Sequence, residues 1–279
     1  MAAKASPWEN PATVDTTKPN AARMYDWYLG GGHNFEVDRE FGRRVEAIWP
    51  NIKPVARHNR AFLQRVVRDS LDAGIRQFLD IGSGVPTAGN VHEVCADATP
   101  PARVVYVDYE PVAFAAGQVL LEEQQAGDRA TIIQEDLREP QAILDHPETR
   151  RLLDFDQPVC LLTVALFHFV SDADRPQEIL AAYRDRLAPG SRLALTHIAC
   201  DEAPPAEREQ VLAFCDAYKD TSNPLYCRDR AEVTRFFDGW DLLDPGVVFI
   251  PDWRPDCPPN PADTARPLAW CGVGELPVR

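Results

Sequence analysis

Apolar positions change their spacing twice along this chain. From Ala21 to Leu29, and again from Glu36 to Trp49, apolar and aromatic residues recur at helical intervals. The pattern is clearest over His58–Ala73. There Phe62, Leu63, Val66, Val67 and Leu71 form one stripe, with Arg57, Arg60, Gln64 and Arg68 on the other, solvated side. Glycines after Leu29, Pro50 and Gly74 end the three segments. Residues 1–20 are polar, carry three prolines and predict a disordered or extended arm.

Beyond Gly74 the apolar residues gather into short, dense runs. "IRQFLDIGSG", "ARVVYVDYEP", "ATIIQEDL", "PVCLLTVALF" and "SRLALTHI" each predict a buried strand. Helical patterns separate them at Asn90–Ala96, Val112–Ala126, a stretch ending near Leu153, and Asp174–Leu187. Strand–helix alternation at this length predicts a parallel sheet covered on both faces, with every strand C-terminus on one edge. Two more helices are expected at about Ala206–Tyr218 and Asp229–Phe237. "GVVFI" (246–250) and "LAWCGV" (268–273) are joined by a proline-rich loop without a crossover helix, which predicts an antiparallel hairpin at the sheet edge. The expected organisation is an arm at 1–20, a helical N-terminal cap at 21–74 and an α/β domain at 75–279.

Charge and composition narrow the partners. Lys and Arg total 29 against 43 Asp and Glu, a net charge of −14, which repels nucleic acid and anionic membranes on average. The N-terminus has no apolar run, and the longest apolar stretch, Pro158–Val170, is too short to span a bilayer. Seven scattered cysteines form no C-x-x-C pair. Cys95, Cys160 and Cys271 read as buried thiols, and a reducing cytoplasm fits better than a disulfide framework or a zinc site. No metal is expected.

Candidate chemistry clusters at the strand ends. "FLDIGSGVPTAGN" carries Asp80 out of the first strand and places Gly82, Ser83 and Gly84 in the turn before a helix, where a ligand can approach backbone. It departs from a dinucleotide fingerprint, because Thr87 follows Pro86 where that motif needs a small residue, and the acidic Asp80 suits a cationic group better than a phosphate. Asp108, ending the second strand, is placed to accept from a ribose diol, although an Asp there also caps the next helix. Glu135-Asp136 end the third strand. Asp136 is placed for an adenine amino group, and Glu135 reads as a solvated turn residue. His168, just past the fourth strand, is the best-placed general base, with a plain strand-closing role as the alternative. His33 is a second base candidate. His197 reads as a satisfied core histidine; His58 and His146 read as surface residues or caps.

Three acidic strand ends around D-x-G-x-G resemble a class I S-adenosylmethionine-dependent methyltransferase. "ARMYDWYLGGGHNFEVDRE", "RHNRAFLQRVVR", "IRQFLDIGSGVPTAGNVHEV", "ARVVYVDYEP", "EDLREP", "LLTVALFHFVSD" and the final "CGVG" together resemble the bacterial S-adenosyl methyltransferase family, formerly DUF574, over almost the whole chain. The resemblance implies a Rossmann-like seven-stranded sheet with an antiparallel last strand and a helical N-terminal addition. It implies S-adenosylmethionine as cofactor and S-adenosylhomocysteine as product. Carried over by position, Asp80, Gly82 and Gly84 face the methionine part, Asp108 the ribose, Tyr109 the neighbourhood of the adenine, and Asp136 with Leu137 the adenine pocket. Thr163, Val164 and Ala165 would run past the sulfonium. Family members often carry Asn-Asp after the second-strand Asp, where this chain has Tyr109-Glu110. The expected activity is methyl transfer to a small molecule; the alternatives are a catalytically silent cofactor-binding regulator and, more distantly, an NAD-dependent oxidoreductase.

"WYLGGGHNF" (27–35) belongs to the N-terminal addition. One reading makes it a lid turn beside the cleft, with Arg23, Tyr25, Asp26, Gly31, Gly32, His33 and Asn34 as pocket residues. The other makes it a helix stop, with Asn34 capping the next helix.

Overall fold

A computed structural model describes residues 15–86 and 89–277. The expected arm therefore lies mostly outside the described residues, as does Thr87. Asn20 accepts backbone N–H groups of Ala22 and Arg23 through its side chain and so caps α1 (Ala21–Tyr28). α2 (Glu36–Ile48) follows, then α3 (Ile52–Asp72). α3 begins six residues before the clear stripe because Pro54 falls in its first turn, where a missing N–H removes no helical bond.

The sheet is built from β1 (Gln77–Ile81), β2 (Arg103–Val107), β3 (Ala130–Ile133), β4 (Cys160–Thr163) and β5 (Arg192–Ile198), all parallel. β8 (Ala269–Glu275) lies antiparallel to β5. Two-residue strands β6 (Asp241–Leu242) and β7 (Val248–Phe249) both pair with the outer edge of β8. They act as one interrupted edge strand, broken where Pro245 and Gly246 intervene. The order is β3-β2-β1-β4-β5-β8-β6, so the seven-position layout holds with its seventh, edge position split between β6 and β7. The hairpin expected at 246–273 is present, but its second arm, β8, is interior rather than at the edge.

The remaining helices are α4 (Val91–Val94), α5 (Pro111–Glu123), α6 (Pro140–Asp145), α7 (Pro147–Leu152), α8 (Pro176–Arg184), α9 (Pro205–Ala217) and α10 (Arg230–Thr234). Strand alternation divides the core. Phe78, Val104, Cys160 and Ala194 pack with Phe62 and Val66 of α3, while Leu79, Val105, Leu161 and Leu193 pack with the layer of α6–α8. α3 thus covers one sheet face directly. Asp80 shares strand parity with Phe78, so it turns toward α3. Among the described residues no helix is long and apolar enough to cross a membrane.

Candidate functional site

The strand order reverses between β1 and β4, and the crevice that opens there is where α/β sheets hold ligands. A cavity of ≈ 380 Å³ occupies it. One half is walled by strand ends: Asp80 and the Gly82–Gly84 turn from β1, Asp108 and Tyr109 after β2, Asp136 and Leu137 after β3. Gly82 and Gly84 have φ of 67° and 68°, a region that favours glycine, and a Cβ on Gly82 would strike Leu166. Gly84 donates its N–H to Asp108 Oδ2 at 2.7 Å, and Glu110 N–H donates to Asp108 Oδ1 at 2.9 Å.

Two buried carboxyls face this half with raised affinities for protons. Burial pushes Asp80 up to about 7; Arg60 pulls it down and Asp108 adds to the rise. Burial pushes Asp108 up to about 6 against the N–H donors of Glu110 and Gly84. Asp136 differs. Burial raises it, but Arg138 outweighs that by gripping both oxygens, at 2.9 and 2.5 Å, and holds it below the ordinary carboxylate range. Glu135, expected to be solvated, also lines the cavity.

The other half is roofed by helices and is largely aromatic. Tyr25 and Tyr28 come from α1, Phe214 from α9, and Phe169 and Tyr218 from nearby turns. Tyr28 and Tyr218 share a hydroxyl–hydroxyl bond of 2.9 Å and offer their rings to the cavity. A polar chain crosses this half. Ala165 N–H donates to Thr196 Oγ1 at 2.7 Å, Thr196 Oγ1 donates to Asn59 Oδ1 at 2.6 Å, Asn59 Nδ2 donates to Tyr25 OH at 3.0 Å, and Tyr25 OH donates to Ala56 O at 3.1 Å. Ala165 sits at φ 55° to make its bond.

The sequence-predicted residues divide as follows. Asp80, Gly82, Ser83, Gly84, Asp108, Tyr109, Asp136, Leu137, Val164, Ala165, His168 and Tyr25 line the cavity. Thr163 does not; it is fully buried and donates Oγ1 to Ala194 O at 3.1 Å inside the sheet. Arg60 lines the cavity beside Asp80 instead of standing on a solvated face, whereas Arg68 does reach solvent and pairs with Asp256. His197 lines it too, but fully bonded: Nδ1 donates to Ile198 O at 2.7 Å and Nε2 accepts from Arg228 at 3.2 Å. His146 caps α7 by accepting from Glu148 N–H, and His58 pairs with Asp263.

The glycine turn takes the helix-stop role. Gly32, His33 and Asn34 line a separate groove against Val112, Ala116 and Leu120 of α5, on the outside of the fold. Asp26 Oδ2 accepts from His33 N–H at 2.9 Å and Asn34 Nδ2 at 2.8 Å, and a Cβ on Gly31 would collide with the Asp26 carboxylate. Gly31 is glycine because a buried carboxylate occupies the space of its side chain. Phe35, not Asn34, is the residue before α2. Arg23 is also outside the cavity. It is buried between Asp38 and Glu110, at 2.8 Å from each, and ties α1 to the loop after Asp108. Thus Arg23, Asp26, Gly31, Gly32, His33 and Asn34 lie outside the described lining of the cavity, and Arg23 alone ties directly to its wall, through Glu110.

Asn59, Thr196, Asn223 and Arg60 are pocket residues that sequence reasoning missed. Asn59 left a signal: it interrupts the apolar face of α3 between Ala56 and Phe62. Thr196 and Asn223 left none, because what they meet comes from elements far away in sequence.

The residues present suit a cationic nucleoside ligand. Two buried carboxyls wait at strand ends, glycine backbone lies open, and Ser83 Oγ at the turn is buried without a partner. A family model described as S-adenosyl methyltransferase matches residues 7–277. A methyltransferase candidate from Thermobifida fusca YX is similar at 37% identity and a TM-score of 0.88, covering 97% of this chain and 99% of that one. A DUF574-family protein from Streptomyces avermitilis MA-4680 is similar at 34% identity and a TM-score of 0.87, covering 94% and 99%. The apo form of the S-adenosylmethionine-dependent methyltransferase SibL shares the fold at 17% identity and a TM-score of 0.51, covering 100% and 71%. No curated protein matches.

Proposed function

The chain belongs to the S-adenosyl methyltransferase family, and on that premise we propose that its cavity joins the cofactor to a small, largely apolar methyl acceptor. Family membership makes the chain an S-adenosylmethionine-dependent methyltransferase with S-adenosylhomocysteine as product. The acceptor, the residue roles and the mechanism are our reading.

The observation that carries it is the division of one continuous cavity into an acidic half at the strand ends and an aromatic half under the helices. In the acidic half, Asp80 and the Gly82–Gly84 turn hold the methionine part, and Ser83 Oγ gains a partner there. Asp108 accepts from the ribose hydroxyls. Tyr109 and Leu137 flank the adenine, with Asp136 kept ionised by Arg138. Val164 and Ala165 border the place where the two halves meet. Arg138, which also lines the cavity, closes the adenine end.

When bound, S-adenosylmethionine supplies an activated sulfonium methyl group. The acceptor's lone pair forms the new bond to the methyl carbon as the carbon–sulfur bond breaks and its electron pair stays on sulfur. The protein's contribution is to align the two, and such alignment supplies most of the rate. The Ala165–Thr196–Asn59–Tyr25 chain fixes one wall rigidly, and the aromatic roof excludes water. Burial lets the carboxyls of the acidic half act strongly on the cationic cofactor.

Calorimetry tests the reading in two steps. S-adenosylmethionine and S-adenosylhomocysteine should bind and NAD should not, with binding weakened in Asp80→Ala and Asp108→Ala. Wild-type affinity in both variants would overturn the site. Transfer of labelled methyl to a component of a small-metabolite extract should then be seen, and binding with no transfer to any extract would overturn the acceptor assignment.

A further inference from the structure

His168 stands in the aromatic half, 9% exposed, against the rings of Phe169 and His197. Its backbone carbonyl is used, accepting from Tyr226 N–H at 2.8 Å. Its ring is not. Nδ1 is buried without a hydrogen-bond partner; Nε2 is not sealed in this way, and the residue lines the cavity.

This asymmetry decides which nitrogen carries the proton. A neutral imidazole must leave either an N–H or a lone pair at the sealed Nδ1. A buried N–H without an acceptor is the costlier defect, and acceptors go unsatisfied more readily than donors. The proton therefore belongs on Nε2. Protonating both nitrogens is opposed by burial, by the His197 ring and by the Arg228 guanidinium, which hold His168 well below the ordinary histidine range. Arg228 itself is anchored on Phe167 O, Val170 O, Asp172 and His197 Nε2.

The surrounding charge points the same way. Among the described lining residues every carboxylate lies on the strand ends, at Glu110 before α5 or on the turn at Asp174. The described lining from α1, α3, β5, α9 and residues 218–226 contains none, and its charged member is Arg60. Among the described lining residues of this half a cationic acceptor finds no carboxylate, while an anionic oxygen finds a donor at His168 with the Arg228 guanidinium behind it.

We propose that His168 is a fixed hydrogen-bond donor, not a base, and that through Nε2–H it holds an anionic oxygen on an apolar acceptor such as an aryl carboxylate or a phenolate. The inference rests on the methyltransferase reading of this cavity and specifies the acceptor's class. An acceptor already ionised at oxygen needs no proton removed by the protein.

Nitrogen-15 NMR of the histidine-labelled full chain, saturated with S-adenosylhomocysteine, reads the tautomer directly, with His168→Gln identifying the signal. A neutral ring protonated at Nε2 near neutral pH is expected; a ring protonated at Nδ1, or at both nitrogens, would overturn the proposal. Benzoate and benzylamine then serve as probes of opposite charge on the same body. Benzoate should bind the S-adenosylhomocysteine complex roughly 10-fold more tightly than benzylamine. It should lose roughly 10-fold in His168→Leu and regain most of that in His168→Gln, whose amide keeps a donor near Nε2. Tighter binding of benzylamine, or benzoate binding indifferent to His168, would overturn the inference. Calorimetry of S-adenosylhomocysteine on the same samples separates that outcome from failure of the cofactor site itself.

Discussion

Gly84 and Asp108, 24 positions apart, are joined by a 2.7 Å hydrogen bond from backbone N–H to carboxylate oxygen. The bond locks the turn after β1 to the end of β2, the two elements that wall the cofactor half. Asp108→Ala removes this acceptor together with the one used by Glu110 N–H. Affinity for S-adenosylhomocysteine should fall at least about 10-fold, the value of one hydrogen bond to a charged group. Asp108→Asn, which keeps one acceptor oxygen, should fall between wild type and Asp108→Ala in calorimetry.

Asp80 makes a pH prediction with a definite sign. Its folded value, about 7, lies above that of an unfolded chain, so its contribution to stability is complete below the ordinary carboxylate range and is lost as pH rises through about 7. His168 and His197, held low, act in the opposite direction, so the informative quantity is a difference. Relative to wild type, cofactor-free Asp80→Asn should be more stable at about pH 8 than at about pH 5.5 by thermal unfolding. A constant difference across that range would remove the buried-charge account of Asp80.

Binding of the cationic cofactor favours ionised carboxylates. Between about pH 6 and 7 it should therefore release protons, seen as a binding enthalpy that changes with the ionisation enthalpy of the buffer. Asp80→Asn should reduce that release.

Gly31 and Gly32 are separable by substitution. Gly31→Ala places a methyl group against Asp26 and should destabilise by about 1–3 kcal/mol, as overpacking does. Gly32→Ala meets nothing within 4 Å and should be close to neutral. Denaturant unfolding distinguishes them. Gly32→Ala should also leave S-adenosylhomocysteine affinity unchanged, because the turn lies outside the cavity.

Arg23→Met would strand Asp38 and Glu110 in the interior, 0% and 9% exposed at the side chain. Breaking a buried pair by removing one partner costs about 3–5 kcal/mol. Because Glu110 follows the Asp108 loop, cofactor affinity should fall as well, whereas Arg43→Met, on an exposed pair with Glu36, should change neither.

Much of this protein was determined by sequence alone. Spacing of 3.6 and dense apolar runs are local properties, so α1–α3 and the five parallel strands were readable, as were the acidic residues and glycines at the ends of β1–β3. These positions are set by where a strand stops, and a strand stops where its apolar run stops. What sequence could not reach depends on contacts between distant segments. Apolar patterning gives no sign that β8 lies between β5 and a broken edge strand, because pairing partners are chosen by the whole sheet. Arg60 reads as solvated because one helix face says nothing of what covers it; Asp80 at the end of β1 covers it. "GGGHNF" reads equally as lid or stop until Asp26, folded back from α1, is seen filling the space of Gly31. His168 could be placed beside the cleft from its strand, but its buried Nδ1, and hence the direction of its hydrogen bond, was decided by Phe169, His197 and Arg228 closing around it. Local chemistry selected the residues; tertiary packing assigned their partners, because burial and charge are properties of the neighbourhood and not of the residue.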